Sequence, residues 1–573
     1  MSTRSPYSGA SRKLVLALDV GTTFSGISYC ILEPGHVPQI KGVTRFPAQE
    51  RVGGDSKIPS IVYYNKQGEV AAIGAEAVKD GIEGVADEEG WSKAEWFKLH
   101  LRPAHMANEG KDHVPVLPKR KSTIDVFADF LRYLYECALA YIRDSHCNGA
   151  QLLASVEQNI EFVLTHPNGW EGAQQAQMRK ALVCGRLIPD TGPGHARVHF
   201  VTEGEAGLHF CVENGLTTEA LKNGEGIMIV DAGGGTVDIS AYGQMPNSEW
   251  MTFQEIAPSQ CIFEGSVFVT RNARTFLQDR LRDSIFCEEV DHIATCFDKT
   301  TKLTFRNTHE PQFIKFGLSR DKDHSLNIRS GQLKLTGNNV ASFFEPCLAS
   351  ITQAIISQTK DATRKITSVF LIGGFGSNDW LFSQLKSCLK QREIDLCRPD
   401  SYLNKAVADG AISFYLDRFV KARVARYTFG VKSYTTYDRN NAEHRHRVDS
   451  VFTDSDGVQC VQHVFSPILK KNTEVMETME FREKFFRQAD SPLAFQNPML
   501  DEIICYRGPD ENPCWVDVDR EMYSTLCTVV SDISSIRDHL RRQRGNDELT
   551  AQISWKDHGR ERRGPAKVIY LDQ

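Results

Sequence analysis

The sequence predicts an α/β protein with a largely parallel core, followed by a region rich in β-strands. Two distant segments share one pattern, an aliphatic strand, an aspartate, a turn of small residues and a second strand. Strand-like and helix-like segments alternate between residues 160 and 210, as is typical of α/β proteins. After residue 427, short strand-like runs separated by turn residues predominate, which indicates a second, β-rich domain.

The first of the two segments begins with an aliphatic run at residues 14–18, which suits a strand buried on both faces. Asp19 ends this strand, and small residues form the turn. Because glycine allows close backbone approach, successive N–H groups there can point at one anion. A carboxylate beside such a cradle indicates an intervening cation, naturally Mg²⁺. An ordinary hairpin is the alternative for this segment; the phosphate-binding interpretation assigns the turn to Gly21, Thr22, Thr23 and Phe24.

A second copy of the pattern favours the phosphate-binding interpretation. An aliphatic strand at residues 226–230 leads into Asp231, a glycine run, Thr236 and Asp238. A third aliphatic strand, at residues 368–372, also ends in glycines and precedes a helix-like segment. The turn residues of these two segments are Gly233, Gly234, Gly235, Gly373, Gly374, Phe375, Gly376 and Ser377.

These three turns resemble the two phosphate loops and the adenosine loop of the actin-like ATPase superfamily. Their order and spacing over residues 13–416 resemble the 70-kDa heat-shock chaperone family, especially its divergent members. The resemblance implies two duplicated, ribonuclease H-like α/β lobes that bind ATP or ADP with Mg²⁺. It also implies a β-rich C-terminal domain that holds unfolded or peptide clients.

The resemblance further implies a set of catalytic residues. Lys98 is the candidate catalytic lysine, with a lysine that merely solvates a helix face as the alternative. Glu203 falls where the family has an acid near the metal and the attacking water, but Gly204 and Glu205 replace the family's Pro and Thr. The implied metal-side carboxylates are Asp19 and Asp231, and the remaining implied catalytic residues are Thr236 and Asp238.

For the nucleoside, the resemblance implies contacts from Gly265 and Lys302 and from the glycines of the third turn. Lys302 belongs to a segment, residues 297–305, that resembles the family's adenine-packing helix. The alternative is that Lys299 and Lys302 form a solvated helix edge.

The predicted domains are a disordered tail at residues 1–13, a nucleotide-binding domain at 14–417 with lobes at 14–205 and 206–417, and a β-rich domain at 427–573 without the family's helical lid. The linker at 417–426 is basic, whereas the family's is acidic. Locally, the sequence predicts a capped helix at 122–144, a loop at 81–90, and a hairpin that pairs 551–556 with 566–570.

Composition limits the other possibilities. A net charge of −6 over 573 residues does not favour nucleic acid as a main partner. The first apolar run is interrupted by Asp19, so it is too short for a signal peptide or membrane span. Fifteen cysteines without a CxxC pair favour a reducing compartment. We therefore expect a cytoplasmic protein without membrane or nucleic-acid partners, with the nucleus as a further location.

The leading hypothesis is a chaperone-like protein that binds ATP and hydrolyses it slowly. The first alternative is a nucleotide-gated interaction protein with little or no turnover, which the basic linker and the altered surroundings of Glu203 favour. A sugar or acyl kinase of the same superfamily ranks lower, because it would not need the β-rich region.

Overall fold

The computed structural model describes residues 4–49, 56–103, 106, 114–214, 224–246, 251–399, 403–454, 456–476, 479–483, 485, 499–531, 553–557, 560–564 and 566–569. The chain forms two compact units. The first consists of residues 1–170 and 177–420, and the second of residues 171–176 and 421–573.

Helices and strands alternate through the first part of the chain. Up to residue 214 they are β1 (Lys13–Asp19), β2 (Phe24–Leu32), β3 (Lys41–Gly42), β4 (Lys57–Pro59), β5 (Ile61–Tyr64), β6 (Val70–Ile73), α1 (Ile82–Glu89), β7 (Ser92–Glu95), α2 (Thr123–Ser145), α3 (Gly149–Val156), β8 (Ile160–His166), α4 (Gly172–Cys184), α5 (Gly192–His195), β9 (Val198–Thr202) and α6 (Glu203–Asn214).

The next part of the chain repeats this alternation. Its elements are β10 (Gly226–Ala232), β11 (Val237–Gln244), β12 (Phe253–Glu255), β13 (Gln260–Ile262), α7 (Ser266–Leu281), α8 (Val290–Cys296), α9 (Lys302–Thr304), β14 (Gln312–Lys315), β15 (Ile328–Arg329), β16 (Gln332–Leu335), α10 (Gly337–Asp361), β17 (Ile366–Ile372), α11 (Asp379–Lys390), β18 (Asp395–Cys397) and α12 (Ala406–Asp417).

Two sheets of the first unit share one topology. In the first sheet β1 pairs antiparallel with β2 and parallel with β8, which pairs parallel with β9. In the second, β10 pairs antiparallel with β11 and parallel with β17, which pairs parallel with β18. This duplicated α/β arrangement, together with the β-rich region, confirms the predicted actin-like fold class.

The aliphatic runs of both hairpins are buried on two faces, as their sequences predict. In β1, Leu14, Leu16 and Leu18 pack into one apolar cluster, whereas Val15 and Ala17 pack into another. The four residues 227–230 of β10 are fully buried. Helices cover both faces of each strand, so the turn at its end is held in place by the core.

Helix α2 begins where the sequence predicts. The Ser122 hydroxyl accepts a hydrogen bond from the backbone N–H of Asp125, and the Asp125 carboxylate accepts one from the backbone N–H of Ser122. This reciprocal pair satisfies two backbone donors that would otherwise have no partner in the helix. The predicted capped helix is therefore confirmed.

Two local expectations need correction. Residues 81–90, predicted to be a loop, contain helix α1, because Gly81 (φ +82°) and Gly90 (φ +67°) cap its two ends instead of breaking it. Residues 4–12, predicted as part of a disordered tail, have defined contacts, because the partly buried Arg4 pairs with Glu213 at 2.5 Å and with Asp417 at 2.7 Å. Residues 1–3 lie outside the described residues.

Helix α10 is the one helix in the described part of the chain that is long and apolar enough to cross a membrane. Its apolar residues Val340, Phe344 and Ile351 are instead buried in the largest core cluster. The length and apolar composition of α10 are therefore explained by its position in the core.

The second unit is built mainly from antiparallel strands. Its elements are β19 (Val420–Val424), β20 (Thr428–Thr436), α13 (Ala442–His446), β21 (Val451–Thr453), β22 (Gln459–Leu469), β23 (Glu474–Met476), β24 (Met499–Tyr506), β25 (Tyr523–Ser531), β26 (Ile553–Asp557), β27 (Arg560–Gly564) and β28 (Ala566–Ile569). Six of them form a sheet in the order β21-β22-β20-β24-β25-β28.

The predicted C-terminal hairpin has the wrong partner strand. β26 pairs with β27, and β28 pairs with β25. Strand propensity depends strongly on the neighbours of a segment, so a polar Arg- and Gly-containing run can form a strand beside a suitable partner. Residues 551, 552 and 570 of the prediction lie outside the described residues.

The cap of α2 gives a prediction for stability. We expect Ser122→Ala to lower the stability of α2 by about 1 kcal/mol, because the backbone N–H of Asp125 loses its hydrogen-bond acceptor. Native-state hydrogen exchange of the full chain, read on α2 peptides, measures this loss. Ser387→Ala, at an exposed position inside α11, is the matched control, and an equal effect of both substitutions would contradict a capping role.

Candidate functional site

The turns of the two duplicated hairpins meet. A Cβ atom built on Gly234 would lie 2.3 Å from Thr23 Oγ1, and one built on Gly235 would lie 2.4 Å from Thr22 Oγ1. Any side chain at these glycines would collide with the opposite turn. The structure thus brings together the two turns that the sequence predicts as phosphate loops.

The start of α7 holds the second turn. The backbone N–H groups of Gly265, Ser266 and Val267 donate to the carbonyl oxygens of Gly235, Gly233 and Gly234 at 3.2, 3.1 and 2.9 Å. These bonds fix the orientation of three consecutive peptide groups. Gly265 therefore lies directly against the second turn, while its predicted nucleoside contact stays a prediction.

The third turn contacts the second hairpin through Gly373. This residue has φ +85°, and a Cβ atom on it would lie 2.1 Å from Asp231 Oδ1. Glycine is required on both counts, since other residues rarely adopt such a φ and no side chain would fit. The close approach places the end of β17 beside the Asp231 carboxylate.

Backbone bonds hold the rest of this turn. The N–H groups of Phe375 and Gly376 donate to the Ala232 carbonyl oxygen at 2.9 and 3.2 Å. The Ser377 hydroxyl donates to the Gly374 carbonyl oxygen at 2.7 Å. The second and third predicted turns are therefore joined by hydrogen bonds, and the first turn lies against the second.

Six charged side chains gather where the three turns meet. They comprise four carboxylates and two ammonium groups, which gives a formal charge of −2; the residues are Asp19, Lys57, Lys98, Glu203, Asp231 and Asp238. Five of the six are buried, and Lys57 is the most exposed, at 17% of its side chain. An excess of buried negative charge is costly unless a cation offsets it.

Lys98 lies on a short 3₁₀ helix (Phe97–Leu101) and is 3% exposed. Its Nζ atom donates to Glu203 Oε1 at 2.5 Å and lies 5.6 Å from the centre of the Trp170 ring. Burial acts to lower the Lys98 pKa, but Glu203 and Asp19 outweigh it, so the pKa is raised and the lysine stays charged. The alternative of a solvated lysine is wrong, and the catalytic role remains a prediction.

Both carboxylate oxygens of Asp19 have partners. Lys57 Nζ donates to Oδ2 at 2.7 Å, and the Thr165 hydroxyl donates to Oδ1 at 2.8 Å. Burial opposes ionisation, but the positive charges of Lys57 and Lys98 keep the Asp19 pKa below its ordinary value. Sequence reasoning missed Lys57 and Thr165. Thr165 could have been found from its place near the end of the strand that follows β1 in the parallel sheet.

Asp231 and Asp238 differ from Asp19. Burial, and then the nearby Glu203 carboxylate, raise the pKa of Asp231 well above its ordinary value and that of Asp238 to about 7. Asp238 Oδ1 accepts a hydrogen bond from the Asn168 N–H at 2.6 Å. Asp238 Oδ2 makes no hydrogen bond of ordinary geometry to any described residue. The nearby Thr236 hydroxyl acts to lower the pKa of Asp238, because it favours the ionised carboxylate.

Lys302 is buried at the start of α9. Its ammonium group pairs with Asp298 and donates to Thr270 Oγ1 at 3.2 Å and to the Ser266 carbonyl oxygen at 3.4 Å. A solvated helix edge is therefore wrong for Lys302, although it describes the exposed Lys299. Through Ser266, Lys302 is tied to the segment that holds the second turn.

The donors at the site suit Mg²⁺ in chemistry and charge. Carboxylate oxygens are its preferred protein ligands, and the formal charge of −2, which the six groups carry when all four acids are ionised, matches a divalent ion. No three His, Cys, Asp or Glu side chains in the described part of the chain form a ready-made metal site. Since protein-bound Mg²⁺ usually combines one or two carboxylates with substrate phosphates, the residues fit a metal that arrives with a nucleotide.

A narrow cleft lies beside the cluster. It is lined by Thr22, Lys98, Leu99, Trp170, Thr236 and Phe263, among others. Residues of both hairpin turns therefore line the same cleft as Lys98.

The raised pKa of Asp238 predicts a pH-dependent stability. The folded chain holds this proton more tightly than the unfolded chain, whose aspartates titrate near pH 3.9, so the free energy of unfolding falls as pH rises from about 4 to 7. We expect Asp238→Asn to abolish this fall in the free energy of unfolding. The variant should be more stable than wild type at pH 8, on the order of a few kcal/mol, and similar near pH 4.

Thermal unfolding of both chains across this pH range measures the difference. Asp361→Asn, at an exposed position in α10, controls for the change in net charge. A gain for Asp238→Asn that is the same at pH 4 and pH 8 would contradict the assignment.

The contact between Gly373 and Asp231 predicts a large effect of a single methyl group. Gly373→Ala adds both an unfavourable φ, worth about 1–2 kcal/mol, and a collision worth about 1–3 kcal/mol. Gly68→Ala is the matched control, because Gly68 has φ +84° with open space around its Cβ position. Urea unfolding should show a larger loss for Gly373→Ala, and equal losses would exclude the collision.

Comparison with known proteins finds two related heat-shock proteins. The chain is 21% identical over 541 residues to heat shock 70 kDa protein 12A of Mus musculus, which covers 81% of the chain and 77% of the relative. Identity to the Homo sapiens protein of the same name is 21% over 542 residues, with the same coverage. No protein-family model matches the chain. With the duplicated sheets and their three glycine turns, these relationships support assignment of the chain as a divergent member of the 70-kDa heat-shock family.

Proposed function

We propose that this protein binds ATP with Mg²⁺ at the three turns, hydrolyses it slowly, and uses the nucleotide state to control a client held by the β-rich unit. The observation that carries this proposal is the buried cluster of four carboxylates and two lysines where the glycine turns meet. The backbone N–H groups of the turns would hold the phosphates. The cluster would accommodate the metal that accompanies them.

Asp231 is the carboxylate best suited to hold Mg²⁺, because Asp19 already has a partner on each oxygen. The metal would neutralise charge on the phosphate oxygens. Lys98, held by Glu203, would place a second positive charge where negative charge develops during hydrolysis.

Asp238 is the candidate acceptor for a proton of the attacking water. Its Oδ2 atom makes no ordinary hydrogen bond to a described residue, and its pKa is raised to about 7. A general base works best with a pKa near the operating pH. Water would attack the terminal phosphorus as the bond to ADP breaks, and the proton would pass to Asp238. Thr236 would orient a phosphate oxygen or the water.

Single-turnover hydrolysis of Mg-ATP by the full chain tests this proposal. We expect slow turnover in wild type and a loss of about 100-fold in Lys98→Met, since a pre-placed positive charge is removed. Thermal shift on the same samples reports nucleotide binding, because ligand at about 100 times Kd stabilises by roughly 2.7 kcal/mol.

Two further variants make the result specific. Lys98→Met/Glu203→Gln removes both members of the buried pair and so avoids leaving Glu203 unpaired, which can cost about 3–5 kcal/mol. Lys93→Met is the matched control, because Lys93 also pairs with a glutamate, Glu95 at 2.7 Å, but on the surface. Unchanged turnover in the double variant would contradict the catalytic role of Lys98, and the absence of any thermal shift in wild type would contradict nucleotide binding.

A nucleotide-gated interaction protein with little turnover is the second candidate. The contacts of Asp19 favour it, because both oxygens of a predicted metal-side carboxylate are occupied by Lys57 and Thr165. ATP binding without single-turnover hydrolysis would select this candidate. Client binding by the β-rich unit is a part of the proposal that rests on the family relationship, whereas a cytoplasmic location rests on the cysteine pattern of the sequence.

A further inference from the structure

Lys57 is a charged residue of the site that the predicted motifs do not include. It lies in β4, which pairs with β2 so that Lys57 faces Gly26. Its side chain crosses Gly26, with Cγ 3.2 Å from the position of a Cβ atom there, and its Nζ atom reaches Asp19 Oδ2 at 2.7 Å. The absence of a side chain at Gly26 lets the lysine reach the site.

The backbone around Lys57 is fixed to the first turn. The Ser60 N–H donates to the Thr23 carbonyl oxygen at 2.8 Å, and the Ser60 hydroxyl donates to the Gly21 carbonyl oxygen at 2.8 Å. The Gln49 side chain donates to the Lys57 carbonyl oxygen at 2.8 Å. The ammonium group is therefore carried on a strand that is bonded to the predicted phosphate loop itself.

Lys57 stays charged in this position. Burial acts to lower its pKa, but the carboxylate of Asp19, followed by those of Asp231 and Glu203, outweighs burial and raises it. These three acids belong to the cluster that faces the turns. A permanent positive charge thus lies among the groups that would otherwise bind a metal, and it occupies an oxygen of Asp19 that a metal-bound water would need.

We propose that Lys57 is a tethered cation that takes over part of the charge neutralisation of Mg²⁺, so that nucleotide binding to this protein depends only weakly on Mg²⁺. This inference rests on the proposed nucleotide site. Thr165 on the other oxygen of Asp19 fits this inference, since each oxygen then has a protein partner and fewer lone pairs remain for a metal or its water. Two opposite charges 2.7 Å apart and largely shielded from water attract each other more strongly than charges exposed to solvent.

Binding of fluorescent N-methylanthraniloyl-ADP to the full chain tests the inference. Kd is measured once with EDTA and once with millimolar Mg²⁺. In wild type we expect the two Kd values to agree within about fivefold. Lys57→Met should weaken binding in EDTA, because the metal must then replace the lost charge. The Kd in EDTA should become at least about tenfold larger than the Kd in Mg²⁺.

Two variants separate a charge effect from a structural one. Lys57→Arg keeps the charge and should keep the wild-type ratio. Lys13→Met removes a different lysine of the same sheet, paired with Glu161 at 2.8 Å, and should leave the ratio unchanged. If Lys57 only supported the fold, Lys57→Met would lower stability without changing the ratio, and this result would overturn the inference.

The wild-type measurement decides the question even if Lys57→Met fails to fold. Binding in wild type that is more than about 100-fold weaker in EDTA would overturn the inference but leave the proposed function intact. Absence of nucleotide binding under both conditions would instead overturn the proposed function. Titration of Mn²⁺ without nucleotide, followed by electron paramagnetic resonance, adds a direct check: Lys57→Met should bind Mn²⁺ more tightly than wild type.

Discussion

The paired burial of Lys98 with Glu203 and of Lys57 with Asp19 is the constraint on which the first unit depends. Four carboxylates in one buried site would repel one another strongly, and the two lysines offset half of that charge. The remaining charge raises the pKa of Asp231 and Asp238. The site where the glycine turns meet therefore has an excess of negative charge, which either protonation of the acids or binding of a cation can neutralise.

The duplicated topology explains why this demand arises at one place. In each sheet, the turn of the antiparallel hairpin and the carboxyl end of the neighbouring parallel strand lie at the same end of the sheet. The acids and small residues that follow these strands therefore lie close together. The tips of the two hairpins then leave no room for side chains at Gly234 and Gly235. Apolar cores on both faces of β1 and β10 hold these ends in position, which links ordinary packing to the charge cluster.

Sequence reasoning succeeded where a local pattern has a single structural solution. The glycine turns with their aspartates, the cap at Ser122 and the buried aliphatic strands were all predictable from neighbouring residues. Lys57 was not, because its role depends on pairing with a strand more than 25 residues away, beside Gly26. The helix at residues 82–89 was missed for a related reason, since glycines that break a helix and glycines that cap one look alike in sequence.

Hydrogen exchange of the full chain, with and without saturating Mg-ATP, tests whether the three turns form one nucleotide site. If they do, Mg-ATP should increase protection at residues 19–25, 231–238 and 373–377. A lack of protection, or protection only in segments remote from these turns, would show that the turns do not form such a site.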